Sequence, residues 1–190
     1  MVELSGDEAG RLLDFFSFAG RLKSQRRMGW VKRLKKRNTE SVADHSYRTV
    51  LMAMVFSDLK GLDTEKTMKL AMLHDLPEAI IGDLIPGERP MKEKKALESA
   101  AMGKILARIP AGLKAEYSEI WRDFVARNSP EAELVKQIDK LEMAMQATEY
   151  RRDYGKTGTE EFILSARPGL KDSDLVGLFE TMRRRPPTDV

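Results

Sequence analysis

Leu70-Ala-Met-Leu-His-Asp-Leu-Pro-Glu-Ala79 puts a histidine and an aspartate at the end of an apolar run. The run reads as a helix. Asp63 can cap its start, and Glu65 in the first turn suits the positive end of the helix dipole. Leu70, Met72 and Leu73 lead to His74, while Pro77 and Gly82 disturb the end. This places His74 and Asp75 deep in a buried helix. A charged aspartate is costly there unless it is paired or coordinates a metal.

Outward from this stretch, helical periodicity continues and no strand-like alternation persists. Upstream, a helix is expected over about Asp7–Gln25, with Leu12, Leu13, Phe15, Phe16 and Phe18 on its apolar side. The basic stretch after Gly29 reads as a loop or short turn. Ser41 then caps a helix that runs to about Lys60, and Gly61 stops it. Downstream, Gly82–Pro90 is a loop, and helices follow over about Lys92–Ile109 and Leu113–Ala126. Asn128-Ser-Pro-Glu131 is a strong helix start, and that helix carries Leu134, Val135, Ile138, Leu141 and Met145. About Thr159–Arg185 reads as one or two short helices, and Arg185-Pro-Pro187 as a loose tail. There is no repeat, linker or low-complexity segment. The expectation is one all-α helical bundle over residues 1–190, with a core over about 12–150 and C-terminal helices over 156–185.

The 190 residues include no cysteine, which excludes thiolate metal sites, cysteine nucleophiles and a disulfide framework. No apolar run of about 18 residues suggests a membrane span. The opening MVELSGDEAG lacks the basic and apolar regions of a secretory signal, so a cytoplasmic location is expected. Net charge is only +3, yet Arg21–Arg37 holds nine Lys/Arg and no acid. Such a segment attracts phosphate on a nucleotide, a nucleic acid or a membrane; it could equally be a solvated face.

The only histidines are His45 and His74, each beside an aspartate: Asp44-His45 and His74-Asp75. One such pair is a weak signal. Imidazole and carboxylate together suit a divalent cation such as Mn, Co, Fe or Zn. Adjacent helical residues diverge by about 100°, so further ligands must come from other helices. His45 could supply one. Asp139, between Ile138 and Leu141, could supply the last, or could simply pair with Lys136 or Lys140.

Glu40-Ser-Val-Ala-Asp-His45, Leu73-His-Asp-Leu-Pro-Glu-Ala79, Gly82-Asp83 and Val135-Lys-Gln-Ile-Asp139 together resemble the HD-domain superfamily of metal-dependent phosphohydrolases, and within it the 5′-deoxynucleotidase branch. The likeness spans about Leu12 to Tyr150. It implies an HD-domain helical bundle with one divalent metal ion (Mn, Co, Mg, Fe or Zn) on His45, His74, Asp75 and Asp139. It makes Glu78, four residues after His74, the acid/base carboxylate. It places Asp83 near the substrate sugar, Trp30 against the nucleotide and Arg33 on phosphate. The implied reaction is hydrolysis of a (deoxy)nucleoside 5′-monophosphate to nucleoside and phosphate, in a homodimer with no membrane partner.

Two alternatives stay open. The same site could act on a cyclic nucleotide, a triphosphate or an alarmone. Ranked below it is a non-catalytic protein that binds nucleic acid through Arg21–Arg37, with steep salt dependence. No recognised nucleic-acid motif supports it.

Overall fold

The computed structural model describes residues 4–85 and 87–185. Pro186 and Pro187 of the expected tail lie outside them, as does Pro86 of the Gly82–Pro90 loop. In chain order the elements are α1 (Gly6–Arg21), α2 (Met28–Leu34), α3 (Val42–Lys60), α4 (Thr64–Leu73), α5 (Glu78–Ile81), α6 (Met91–Leu106), α7 (Ala111–Ala126), α8 (Pro130–Tyr154), α9 (Glu160–Ala166) and α10 (Ser173–Arg184). A 3-10 turn, Arg167–Gly169, joins the last two. The fold is all-α. Among the described residues the only β-type pairing is one bridge between Arg26 and Ser41.

The start signals act as the sequence suggests. The Ser41 side chain accepts from the Asp44 amide, and the Asp44 carboxylate accepts from the Ser41 amide in return. This capping box explains the aspartate before His45 without a metal. Gly61 ends α3 at φ 63°, a conformation most residues avoid. Asp63 caps α4, and Ser129 caps α8 with Pro130 in its first turn.

Three expectations need correction. The first helix ends at Arg21, not near Gln25, because the chain turns through Lys23 and Ser24 and bonds across to α3: the Val42 amide donates to the Gln25 carbonyl at 2.8 Å. The basic stretch is not merely a loop, since Met28–Leu34 forms a helix around the buried Trp30. His74 and Asp75 lie not within a helix but just past the end of α4, His74 at its C-cap. Pro77 has no amide to offer the Leu73 carbonyl, so the ladder stops and restarts at Glu78.

Helix α8 is the axis of the core. Ala132, Val135, Ile138, Leu141, Ala144 and Ala147 are wholly buried along it. Helices α3 and α4 pack on α8 and on each other. Helix α7 closes one side with Trp121 and Phe124, and α10 covers another with Leu175 and Phe179. The first turn of α3, the end of α4 and the middle of α8 therefore meet inside the bundle. No helix among the described residues is long and apolar enough to cross a membrane.

Candidate metal centre

Four side chains converge where α3, α4 and α8 meet. Nε2 of His74 lies 3.3 Å from Nε2 of His45 and 3.2 Å from Oδ2 of Asp75. Nε2 of His45 lies 3.5 Å from Oδ2 of Asp75 and 3.4 Å from Oδ1 of Asp139. Ligand atoms of His45, His74 and Asp139 all fall within 4.8 Å of one another, a grouping that could hold a metal ion.

The far nitrogens are already committed. Nδ1 of His74 donates to the Ala71 carbonyl at 2.6 Å. Nδ1 of His45 meets the Glu142 carboxylate in a short contact. Both imidazoles therefore turn their Nε2 lone pairs inward, where they face each other and two carboxylate oxygens. Such a donor set suits a divalent cation, and the outer hydrogen bonds fix tautomer and ring orientation as they do around metal-bound histidine.

Electrostatics agree. Burial raises the Asp75 carboxyl, but His74 and Arg27 outweigh it and hold it well below the usual carboxylate range. Burial likewise raises Asp139, and Lys140 and His45 pull it far below. Burial and Arg27 pull the His45 imidazole down, yet bonds to Asp139 and Glu142 push it up to about 9. A cation on Nε2 takes the place of that proton.

Glu78 opens α5 beside this cluster and is buried. Its Oε2 finds no hydrogen-bond partner among the described residues. Burial, then the charges of Asp75 and Asp83, push its pKa well above the ordinary value against the pull of Arg27 and Lys94.

The other expected residues are placed differently. Trp30 is only 1% exposed; its indole N–H donates to Glu40 at 2.7 Å, and its ring packs on Tyr150 and Phe162. It is an anchor rather than an open stacking face. Asp83 accepts the Met28 amide and so ties the loop after α5 to the start of α2. Arg33 is not brought to the cluster: its guanidinium donates to Glu161 at 2.7 Å.

Glu142 has no role in the sequence reading, Arg27 only a share in the basic segment and Lys136 only that of a possible partner for Asp139, yet all three border the cluster. Arg27 donates to Oδ2 of Asp75 at 3.2 Å. Glu142 is wholly buried between His45 and Arg48, which donates to it at 2.8 Å. Its one sequence signal is a position three residues after Asp139, on the same helix face. Glu40, His45 and Glu142 form a second close group. That group reads as a hydrogen-bond network, because Trp30 already donates to Glu40 and Arg48 to Glu142. Replacing Glu142 with glutamine should weaken metal binding about 10–100-fold, the usual cost of losing an outer-shell partner. Chelator competition would measure this.

Comparison with known proteins fits this geometry. A family model described as HD domain matches residues 19–170. The chain is 39% identical over 173 residues to a zebrafish (Danio rerio) protein named 5′-deoxynucleotidase HDDC2, covering 90% of this chain and 86% of that one. It is 37% identical over 188 residues to the human (Homo sapiens) protein of the same name, covering 98% and 91%. A conserved hypothetical protein from Pyrococcus furiosus superposes with TM-score 0.71 at 33% identity, covering 91% of this chain and 99% of that one. The Magnetospirillum magnetotacticum protein described as a predicted metal-dependent phosphohydrolase shares the fold, with TM-score 0.71 at 18% identity over 96% of this chain and 94% of its own. With the family model matching residues 19–170 and with relatives above 30% identity over most of both chains, this chain belongs to the HD-domain family.

Proposed function

We infer that this chain is a metal-dependent phosphohydrolase of the 5′-deoxynucleotidase type, converting deoxynucleoside 5′-monophosphates to nucleoside and phosphate. One observation carries the metal half of this reading: two histidines, each with its Nδ1 already committed, aim their Nε2 lone pairs at each other and at two carboxylates. The substrate class comes from the relatives, which are named 5′-deoxynucleotidases over nearly the whole chain.

His45, His74, Asp75 and Asp139 would hold one divalent ion, of the kind mixed nitrogen and oxygen donors accept: Mn, Co, Mg, Fe or Zn. When bound, such an ion supplies a hydroxide source near neutral pH and polarises the phosphoryl group. The chain's own groups do the rest. Arg27, fixed on Asp75, offers guanidinium charge at the edge of the cluster. Glu78, buried with a raised pKa, can give its proton to the departing 5′-oxygen of the sugar. Asp83 holds the start of α2 and with it the position of Arg27.

The assembly is a homodimer. Tyr47, Leu51, Val55 and Leu59 recur every four residues along α3 and are all exposed, giving an apolar line suited to a two-fold partner. The whole chain acts as one HD domain, and its place is the cytoplasm.

The test is phosphate release from a panel of deoxy- and ribonucleoside monophosphates, cyclic nucleotides and triphosphates after chelation and return of Mn, Co or Mg. Metal-restored release from deoxynucleoside monophosphates is the expected result. Turnover confined to cyclic nucleotides or triphosphates would overturn the substrate assignment while keeping the site.

A further inference from the structure

Lys136 lies on α8 three residues before Asp139, so both project from one face of the helix. Its ammonium sits 3.5 Å from the centroid of the Phe124 ring. That ring in turn packs edge-on against His74, with centroids 5.9 Å apart. Lys136 is therefore one side-chain layer from the metal cluster. Asp139 and Asp75 both act on its charge, yet neither touches it.

Its neighbour Lys140 behaves differently. Lys140 contacts Asp139 directly at 3.4 Å and is nearly half exposed. If Lys136 served only to balance the carboxylates, it should sit on them in the same way. Instead it makes no hydrogen bond or ion pair among the described residues. An ammonium has three donors, and a half-buried one without partners is costly unless something else uses them. Burial pulls its pKa below the ordinary value, a cost that a dianionic ligand would offset. The ring face holds the charge in place by cation–π attraction without consuming a donor.

Arg27 stands on Asp75, and Lys136 stands over the Phe124 ring that packs against His74. We propose that Lys136 binds the phosphate group of the substrate, its free ammonium donors reaching phosphate oxygens above the metal cluster. This rests on the phosphohydrolase reading and adds a residue to it. The ligand chemistry is a terminal phosphate dianion, which the product shares, so inorganic phosphate is the probe.

The experiment is calorimetric titration of inorganic phosphate into the Mn-loaded protein, comparing wild type with Lys136→Met and Lys136→Arg. Methionine keeps the aliphatic packing on Phe124 and removes the charge; arginine keeps the charge. The Mn-induced rise in melting temperature checks that each variant still folds and binds metal. Lys136→Met is expected to bind phosphate about 10–100-fold more weakly, the size of one charged hydrogen bond. Lys136→Arg should recover most of that loss, and the Mn-induced rise should persist in both. Equal phosphate affinity in wild type and Lys136→Met would overturn the proposal, as would a loss in Lys136→Arg as large as in Lys136→Met. Should Lys136→Met fail to fold, Lys136→Gln gives the same comparison. Failure of the nucleotidase reading looks different: wild type would release no phosphate from any monophosphate, whatever the variants bind.

Discussion

Asp139→Asn is expected to lower metal-dependent phosphate release by roughly three orders of magnitude or more. A catalytic metal contributes several kcal/mol to the transition state, and each 1.36 kcal/mol is about tenfold in rate. Asparagine keeps the size of the side chain but gives up the charge. The Asp139 carboxylate is held ionised against burial by Lys140, His45 and His74. Without it the cluster keeps one carboxylate, Asp75, and that one is already shared with Arg27.

The same variant should lose the stability that metal confers. A ligand at about 100 times its dissociation constant stabilises the folded state by about 2.7 kcal/mol. For a chain of this size that is a rise in melting temperature of roughly 5–10 °C. Wild type should show this rise when Mn is returned after chelation, and Asp139→Asn should show little of it. A variant that keeps both the thermal rise and the turnover would remove Asp139 from the metal site. One that keeps the rise but loses turnover would assign it a purely chemical role.

The helices and their starts were legible because their signals are local. Ser41, Asp63 and Ser129 cap through their own side chains, and each was readable from its position before an apolar run. The candidate ligand set was legible for a different reason: the spaced pattern of His45, His74-Asp75 and Asp139 resembles that of the HD-domain superfamily. A His-Asp neighbour alone says little, and Asp44 beside His45 only caps α3. What the sequence hid is set by distance. Arg27 lies 48 residues before Asp75, and Glu142 lies 97 residues after His45. No periodicity links such pairs; the start of α2 brings Arg27 to Asp75 past the end of α4, and packing of α3 on α8 brings His45 to Glu142. Trp30 left two roles open, since a tryptophan in a basic segment can stack on a base or anchor the fold. Glu40 takes its N–H while Tyr150 and Phe162 take its ring, which makes it an anchor. Arg33 faces outward on the same short helix, and its partner Glu161 comes from α9, which the sequence placed only loosely.

Glu78→Gln should lower kcat about 10²–10⁴-fold, the range for losing a general acid or base, with KM and metal binding nearly unchanged. The glutamine side chain would fill the same space, but it has no proton to give. Glu78 is suited to giving one because burial, then Asp75 and Asp83, keep its carboxyl protonated far above the usual range. Acting as the acid, it is competent only while protonated, so wild-type turnover should fall as pH rises through its raised pKa. That limb of the profile should vanish in the variant. Stability supplies an independent check with a definite sign. A carboxyl whose folded pKa lies above its unfolded value holds its proton more tightly when folded. Folding then weakens as pH rises from the unfolded pKa toward the folded one. Glutamine does not titrate, so near neutral pH the metal-free variant should melt higher than wild type. A higher melting temperature with lower turnover is the signature of a residue kept at a cost to stability for the sake of the reaction. Lower stability together with lower turnover would instead mark Glu78 as a packing residue.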